Sequence, residues 1–369
     1  MKYTQLGRSG LRVSKIALGT MNFGPRTSEE DTFRILDRAL ELGINIIDTA
    51  DRYGNPHGSG QTERIIGKWL KKTGSRNNIV LATKVFGPMG PGPNDYGLSA
   101  YHVRAACEAS LQRLGTDRID LYQMHHIDRG IPHYLSALEY LGGDINNLVF
   151  PKHLRPGVPW EEIWQQMQQL VLSGKVLYVG SSNFPGWGIA QANERAKAFN
   201  LLGLVSEQSK YNLIQRTVEL EVLPACREYG VGFFPYSPLA EGALAGKLLQ
   251  AGPGRRTESG KAGTPSEQLD SFASLCGELG EQAAAVALAW LMSNPYVTAP
   301  IVGPRTQEQL ESAMRALDVR LEPDFVRRLE AVFPGPGQRN AEHLSLPVYG
   351  KLEEATPGAK NQAPEAYAW

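Results

Sequence analysis

Three short apolar runs in this chain each stop at a titratable side chain. Ile44-Asn45-Ile46-Ile47 leads to Asp48, with Tyr53 following in the turn Thr49-Ala50-Asp51-Arg52-Tyr53-Gly54. Ile79-Val80-Leu81-Ala82-Thr83 leads to Lys84, and Ile119-Asp120-Leu121-Tyr122-Gln123-Met124 leads to His125-His126. An apolar run that ends abruptly at a polar residue and a turn is a buried strand delivering that residue to a loop. A carboxylate, a phenol, an amine and an imidazole at one edge of a sheet can move protons. The phenol alone is a weak acid, with an ordinary pKa of about 10. A buried ammonium beside it stabilises the phenolate and pulls that value down, and a carboxylate keeps the ammonium charged and oriented. Taken singly, Asp48 could cap the following turn, Lys84 could lie on the surface and Tyr53 could be a packing aromatic.

The elements that would hold these residues alternate strand and helix. A first strand near Ile16-Ala17-Leu18 ends at Gly19-Thr20-Met21, and Ser28 caps a helix to Leu42 with Glu29, Glu30 and Asp31 in its first turn. A second helix, Thr62 to Lys72, carries Ile65, Ile66, Trp69 and Leu70 on one face, and a third runs from Ser99 to Leu114 with Val103, Ala106, Cys107, Ser110, Leu111 and Leu114 inward. Further strand and helix pairs are Lys175–Ser181 with Gly188–Phe199, Leu204–Gln208 with Glu219–Tyr229, Val231–Tyr236 with Gln282–Met292, and Val297–Ile301 with Thr306–Leu317. Eight strands result, enough to close an α/β barrel, the (β/α)8 TIM barrel, as one domain over 1–369.

With 38 basic and 38 acidic residues among 369, the chain shows no nucleic-acid or membrane surface. Cys107, Cys226 and Cys276 have no paired spacing, which points to buried thiols in a reducing compartment. The N-terminus lacks a signal-peptide core and no run approaches a membrane span, so the expected location is cytoplasmic. Adjacent strand residues point to opposite faces, so His125 and His126 are not expected to share a site, and no metal is expected.

The ordered set Asp48, Tyr53, Lys84, His125 resembles the catalytic tetrad of the aldo-keto reductase superfamily. The likeness extends from Leu6-Gly7-Arg8-Ser9-Gly10-Leu11 through Gly180-Ser181-Ser182-Asn183-Phe184 and Tyr236-Ser237-Pro238-Leu239 to Ile301-Val302-Gly303. The resemblance implies a hairpin, here Tyr3 to Val13, plugging the barrel floor. It implies reduction of an aldehyde or ketone by NADPH, with Tyr53 as proton donor, Lys84 tuning it, Asp48 anchoring Lys84 and His125 orienting the carbonyl. Met21, Tyr53, Phe86, His126 and Trp187 could wall a substrate pocket.

No Gly-x-Gly-x-x-Gly follows a strand, so a Rossmann cofactor fold has no support. The resemblance instead places the nicotinamide carboxamide against Ser182, Asn183 and Gln208, and the ring against Tyr236. Gly19, Thr20 and Met21 join this set, and Ser237, Pro238, Leu239, Gly242 and Lys247 follow the pyrophosphate. Gly303, Arg305 and Gln309 open a helix whose amides suit a phosphate, with Arg305 as a fork for the 2′-phosphate of NADP. Relatives commonly carry Glu-Asn where Ser312-Ala313 stand here.

Three segments break the rhythm: an inserted loop over 128–159, a Gly- and Arg-rich loop over 239–268 expected to be mobile until cofactor arrives, and a Pro-rich tail over 334–369. Leu98-Ser99-Ala100-Tyr101-His102 and the terminal Tyr367-Ala368-Trp369 resemble a bacterial branch that includes ketoreductases of secondary metabolism, among them polyketide side-chain and nucleotide-deoxysugar reductases. The expected partner is a small carbonyl substrate, with a homo-oligomer left open. The rival reading is an NADPH-binding, redox-sensing barrel similar to potassium-channel β subunits. A phosphate-binding lyase or isomerase barrel is disfavoured, since no acid pair or Schiff-base lysine emerges.

Overall fold

A computed structural model describes residues 1–54, 59–128, 157–246 and 266–336 of the chain. Strands β1 (Tyr3–Gln5) and β2 (Arg12–Ser14) pair antiparallel as the expected hairpin. Gly7 in its turn has φ +53°, and a Cβ there would stand 2.6 Å from backbone atoms of Val205, Gly230 and Gly232. Only glycine lets the turn press this closely on the barrel floor. Leu6 is thereby carried into the barrel interior beside Ala17, Ile46, Leu121, Val205 and Phe234. Its complete burial contributes roughly 1.5–3 kcal/mol.

Eight parallel strands follow: β3 (Ala17–Gly19), β4 (Ile46–Asp48), β5 (Val80–Val85), β6 (Ile119–Met124), β7 (Val176–Ser182), β8 (Leu204–Lys210), β9 (Gly232–Tyr236) and β10 (Ile301–Val302). They pair in sequence from β3 to β9, and β10 returns to pair with β3. The ring closes at a bridge between Phe233 and Val297, where the Thr298 amide donates to the Phe233 carbonyl at 2.8 Å. The chain is a (β/α)8 TIM barrel.

The outer helices are α1 (Glu29–Glu41), α2 (Gln61–Thr73), α3 (Ala100–Leu114), α4 (Trp160–Leu172), α5 (Gly186–Ala198), α6 (Val222–Glu228), α7 (Ser266–Leu279), α8 (Ala283–Ser293), α9 (Gln307–Met314) and α10 (Pro323–Val332). The first three match their sequence expectations to within a residue or two, because their ends carry chemical signals. Ser28 and Ser99 accept from the amides of Asp31 and His102, and Gly115 ends α3 in the left-handed conformation at φ +62°. The expected inner stripe of α3 is buried throughout.

Two expectations change. The eighth strand does not begin at Val297. Pro300 has no amide to give a ladder, so regular pairing starts only at Ile301. Helices α4, α7 and α10 had not been expected. In α4 the buried residues Trp160, Ile163, Trp164, Met167 and Leu170 recur at helical spacing, and α7 begins inside the segment read as a mobile loop. The rest of that loop (247–265), most of the insertion (129–156) and the tail beyond 336 lie outside the described residues. Among those described, no helix is long and apolar enough to cross a membrane.

Candidate active site

Strands β4, β5 and β6 end side by side, and their C-terminal edge gathers the four expected residues. Lys84 is fully buried and its Nζ donates to Asp48 Oδ2 at 2.7 Å, to the Thr49 carbonyl at 2.8 Å and to the Tyr53 hydroxyl at 3.3 Å. An ammonium has three N–H groups, and all three are used. Tyr53 reaches this point because the loop after β4 turns tightly, its amide donating to the Ala50 carbonyl at 3.2 Å. The His125 ring stands edge-on to the Tyr53 ring, with centroids 6.1 Å apart.

Electrostatics assign states to these groups. Burial disfavours the Lys84 charge, but Asp48 and Tyr53 outweigh it and raise the ammonium above its ordinary value. Burial also pushes the Tyr53 phenol up; Lys84 pulls it back, Asp48 adds to the rise, and the net direction is upward. The sequence reading expected a net fall, and burial reverses the sign. Tyr53 is therefore a protonated acid at neutral pH with a cation at its oxygen. His125 lies well below its usual value, through burial first and then His126, Lys84 and Arg52, so its imidazole is neutral.

His125 and His126 correct the alternation argument. Their rings stack at 5.0 Å with planes 7° apart, since both follow the last residue of β6 and strand alternation no longer applies. Phe86 meets the His126 ring edge-on at 5.3 Å and packs partly on the core. Met21 is partly buried, and Trp187, second residue of α5, is 51% exposed. No group of three or more metal-ligating side chains occurs among the described residues.

The expected cofactor residues fall into two groups. Ser182, Asn183, Gln208 and Tyr236 meet at the ends of β7, β8 and β9. The Asn183 side-chain amide donates to the His125 carbonyl (3.1 Å) and to Ser182 Oγ (3.0 Å), and its Oδ1 accepts from the Tyr236 hydroxyl at 2.9 Å. Glu207, buried behind them, accepts from Ser209 Oγ (2.6 Å) and the Phe184 amide (3.2 Å), fixing the loop in which Asn183 adopts φ +57°. Burial pushes its carboxyl up to about 7. The Gln208 amide lies on Asp48 Oδ1 at 2.8 Å. Thr20 Oγ1 donates to the Asp48 carbonyl at 2.9 Å, and a Cβ on Gly19 would stand 2.6 Å from Ile301. Both positions fix strand ends.

The second group forms the outer rim. Ser237, Ala240 and Glu241 adopt left-handed φ of 49°, 48° and 60° in the turn after β9. Asn212 holds that turn by donating to the Ser237 carbonyl at 2.9 Å, and beyond Pro238 and Leu239, Gly242 faces open space. Lys247 lies outside the described residues. Gly303 accepts from Asn22 at 2.9 Å. At the start of α9, Gln309 Oε1 accepts from the Arg305 amide (2.8 Å) and Thr306 Oγ1 from the Gln309 amide (3.3 Å). Gln309 thus acts here as a cap. Ser312 donates to Gln282 at 2.7 Å, and Ala313 is buried.

A parallel eight-stranded barrel with a floor hairpin and a lysine, tyrosine, aspartate and histidine at its C-terminal edge defines a class of oxidoreductase. The chain belongs to the aldo/keto reductase family, which matches residues 15–333. Among its relatives, the oxidoreductase YrpG of Bacillus subtilis (strain 168) is 45% identical over 377 residues, covering 100% of both chains. Versiconal hemiacetal acetate reductase of Aspergillus parasiticus is 32% identical over 91% of this chain and 99% of its own. A voltage-gated potassium channel subunit beta assigned in Schizosaccharomyces pombe (strain 972 / ATCC 24843) is 32% identical over 89% of this chain and 92% of its own.

Sequence reasoning missed Gln123. Its amide donates to the second Asp48 oxygen, Oδ1, at 3.0 Å. The signal was available, because Gln123 is an uncharged polar residue inside the buried run that leads to His125 and sits two places from Leu121, on the same face of β6.

Proposed function

We propose that this protein is an NADPH-dependent reductase of aldehydes or ketones in which Tyr53 gives the proton. The observation that carries the proposal is the Asp48, Lys84 and Tyr53 chain of contacts at 2.7 and 3.3 Å. Lys84 donates to the phenol oxygen, which leaves the phenol hydrogen free to point elsewhere. As that proton departs towards a carbonyl oxygen, the phenolate left behind is met by the ammonium. The neutral His125 can donate one ring N–H to the same carbonyl oxygen and fix its orientation. The barrel wall keeps the Asp48 and Lys84 pair out of water.

The residues present fit a dihydronicotinamide dinucleotide, which would supply the hydride when bound. Asn183 Oδ1 and Ser182 Oγ keep acceptor capacity for a carboxamide N–H beside the partly buried Tyr236 ring, and the left-handed turn after β9 presents backbone to an adjoining open space. Arg305, partly buried at the start of α9, would read a 2′-phosphate. For the substrate we propose a carbonyl-bearing intermediate of secondary metabolism; the Aspergillus relative is named as the reductase of a hemiacetal acetate, which is a masked carbonyl. The channel-subunit reading rests on names of relatives such as that in Schizosaccharomyces pombe.

Tyr53→Phe is expected to lower NADPH-dependent reduction of a carbonyl panel by about 10²- to 10⁴-fold while leaving NADPH affinity unchanged. Undiminished rates would remove Tyr53 from the chemistry, and a parent chain without turnover on any carbonyl would favour the channel-subunit reading. Arg305→Ala is expected to weaken NADPH by about tenfold or more with little effect on NADH, read by fluorescence titration. Equal weakening would mean that Arg305 does not read the 2′-phosphate.

A further inference from the structure

We propose that Gln123 is a positioning residue for the proton-donating step, its buried amide holding Asp48 so that Lys84 stays on Tyr53. The inference rests on the reading of Tyr53 as proton donor. Along β6, Leu121 joins the barrel interior while Tyr122 and Met124 join the outer core, and Gln123 shares the interior side with Leu121. Gln123 is fully buried among such neighbours, where an amide is costly unless both ends are bonded. Both ends are bonded: Nε2 donates to Asp48 Oδ1 at 3.0 Å, and Oε1 accepts from Gln208 Nε2 at 3.3 Å. A carboxylate only accepts, so the amide has one possible orientation.

The two Asp48 oxygens then have different duties. Oδ2 takes the Lys84 ammonium, and Oδ1 takes the amides of Gln123 and Gln208. The amides pin the plane of the carboxylate, and the plane sets where Oδ2 meets Lys84. Because every Lys84 N–H is engaged, a turn of that plane moves the cation relative to the Tyr53 oxygen. The two glutamines differ in location. The Gln208 backbone carbonyl accepts from the Asn183 amide (2.9 Å) and Ser182 Oγ (2.8 Å), on the side assigned to the cofactor. Its side chain is the one a carboxamide would compete for, whereas the Gln123 side chain, among the described residues, bonds only Asp48 and Gln208. Gln123 is the donor that remains when Gln208 is drawn away.

The charged or titratable groups facing Tyr53 are Asp48 at the end of β4, Lys84 on β5, Arg52 in its own loop and the His125 ring beyond β6. Asp48 pushes the phenol up, and the amide N–H dipoles offset part of that charge. Gln123→Met preserves volume and removes one donor. It is expected to lower kcat about tenfold with KM and NADPH affinity unchanged, and to move the Tyr53 titration to higher pH. That titration is read on the cofactor-free protein with ¹³Cζ-tyrosine NMR, the Tyr53 resonance being assigned by its loss in Tyr53→Phe. It therefore decides the role of Gln123 even if no carbonyl is turned over.

Gln123→Glu supplies the second arm. A carboxyl against Asp48 shares one proton with it and, while protonated, can donate as the amide does. Activity close to the parent's is expected at low pH, falling as the shared proton is lost, with Gln123→Met impaired throughout. If the Met chain fails to fold, the pH dependence of the Glu chain alone carries the test. A Met chain with the parent's kcat and Tyr53 titration, or a Glu chain that follows the parent at every pH, would overturn the proposal.

Discussion

Asp48 and Asp51 are three residues apart, both buried, and treated oppositely by the fold. Asp48 accepts from a lysine and two glutamines on three other strands. No side chain among the described residues hydrogen-bonds either carboxyl oxygen of Asp51, and the backbone amide of Arg52 exerts only a minor pull on it. Burial first, and the Glu63 carboxylate second, push Asp51 up to about 8, against the pull of Arg113 and Arg52. Glu63 holds its own charge partners, accepting from Thr83 Oγ1 and Arg113 Nε at 2.6 Å each. A buried acid is thus a charged anchor only where the barrel brings donors to it; otherwise it is a neutral acid. That contrast separates the proposed catalytic edge from the layer behind it.

The largest effect should come from taking the cation away from Asp48. Lys84→Met leaves a buried carboxylate with two amides and no counter-charge, at a cost of about 3–5 kcal/mol. It also removes the group that meets the phenolate, so carbonyl reduction should fall by about 10²- to 10⁴-fold. Thermal melts and NADPH-dependent rates measure the two losses separately. Retained turnover with a lowered melting temperature would make the pair structural, and the contrast with Asp51 would lose its catalytic side.

The four-residue cluster was largely legible in the sequence, because Asp48, Lys84 and His125 each follow an apolar run, Tyr53 lies in the turn after the first of them, and strand ends are where a barrel exposes polar groups. The helices with serine caps were legible for a similar reason, since a cap is a local signal. Helix α4 was legible and passed over, its Trp160 to Leu170 spacing being ordinary for a packed helix. What pattern could not supply was the partner set. Gln208 reaches Asp48 across 160 positions of chain, and nothing beside either residue marks the other. The upward direction at Tyr53 and the inward turn of Asp51 were hidden likewise, because both follow from burial in a closed ring. The stacking of His125 on His126 depended on where β6 stops, the least legible feature of any strand.

Asp51→Asn is the finer test, because it removes a titrating group and changes almost nothing in shape. In the unfolded chain an aspartate loses its proton near pH 4, whereas the folded carboxyl keeps it to about 8. Between those values the folded state binds more protons than the unfolded one, so stability falls as pH rises through the interval and levels off above it. Asparagine does not titrate and removes this slope. The difference in melting temperature, variant minus parent, should therefore climb steadily from pH 5 to pH 8.5. The raised carboxyl of Glu207 contributes to both chains alike and cancels in that difference. Turnover should change little, since Asp51 bonds neither Lys84 Nζ nor the Tyr53 hydroxyl. A flat difference would mean that Asp51 is charged in the folded protein and has found a donor, and the two acids would then be alike.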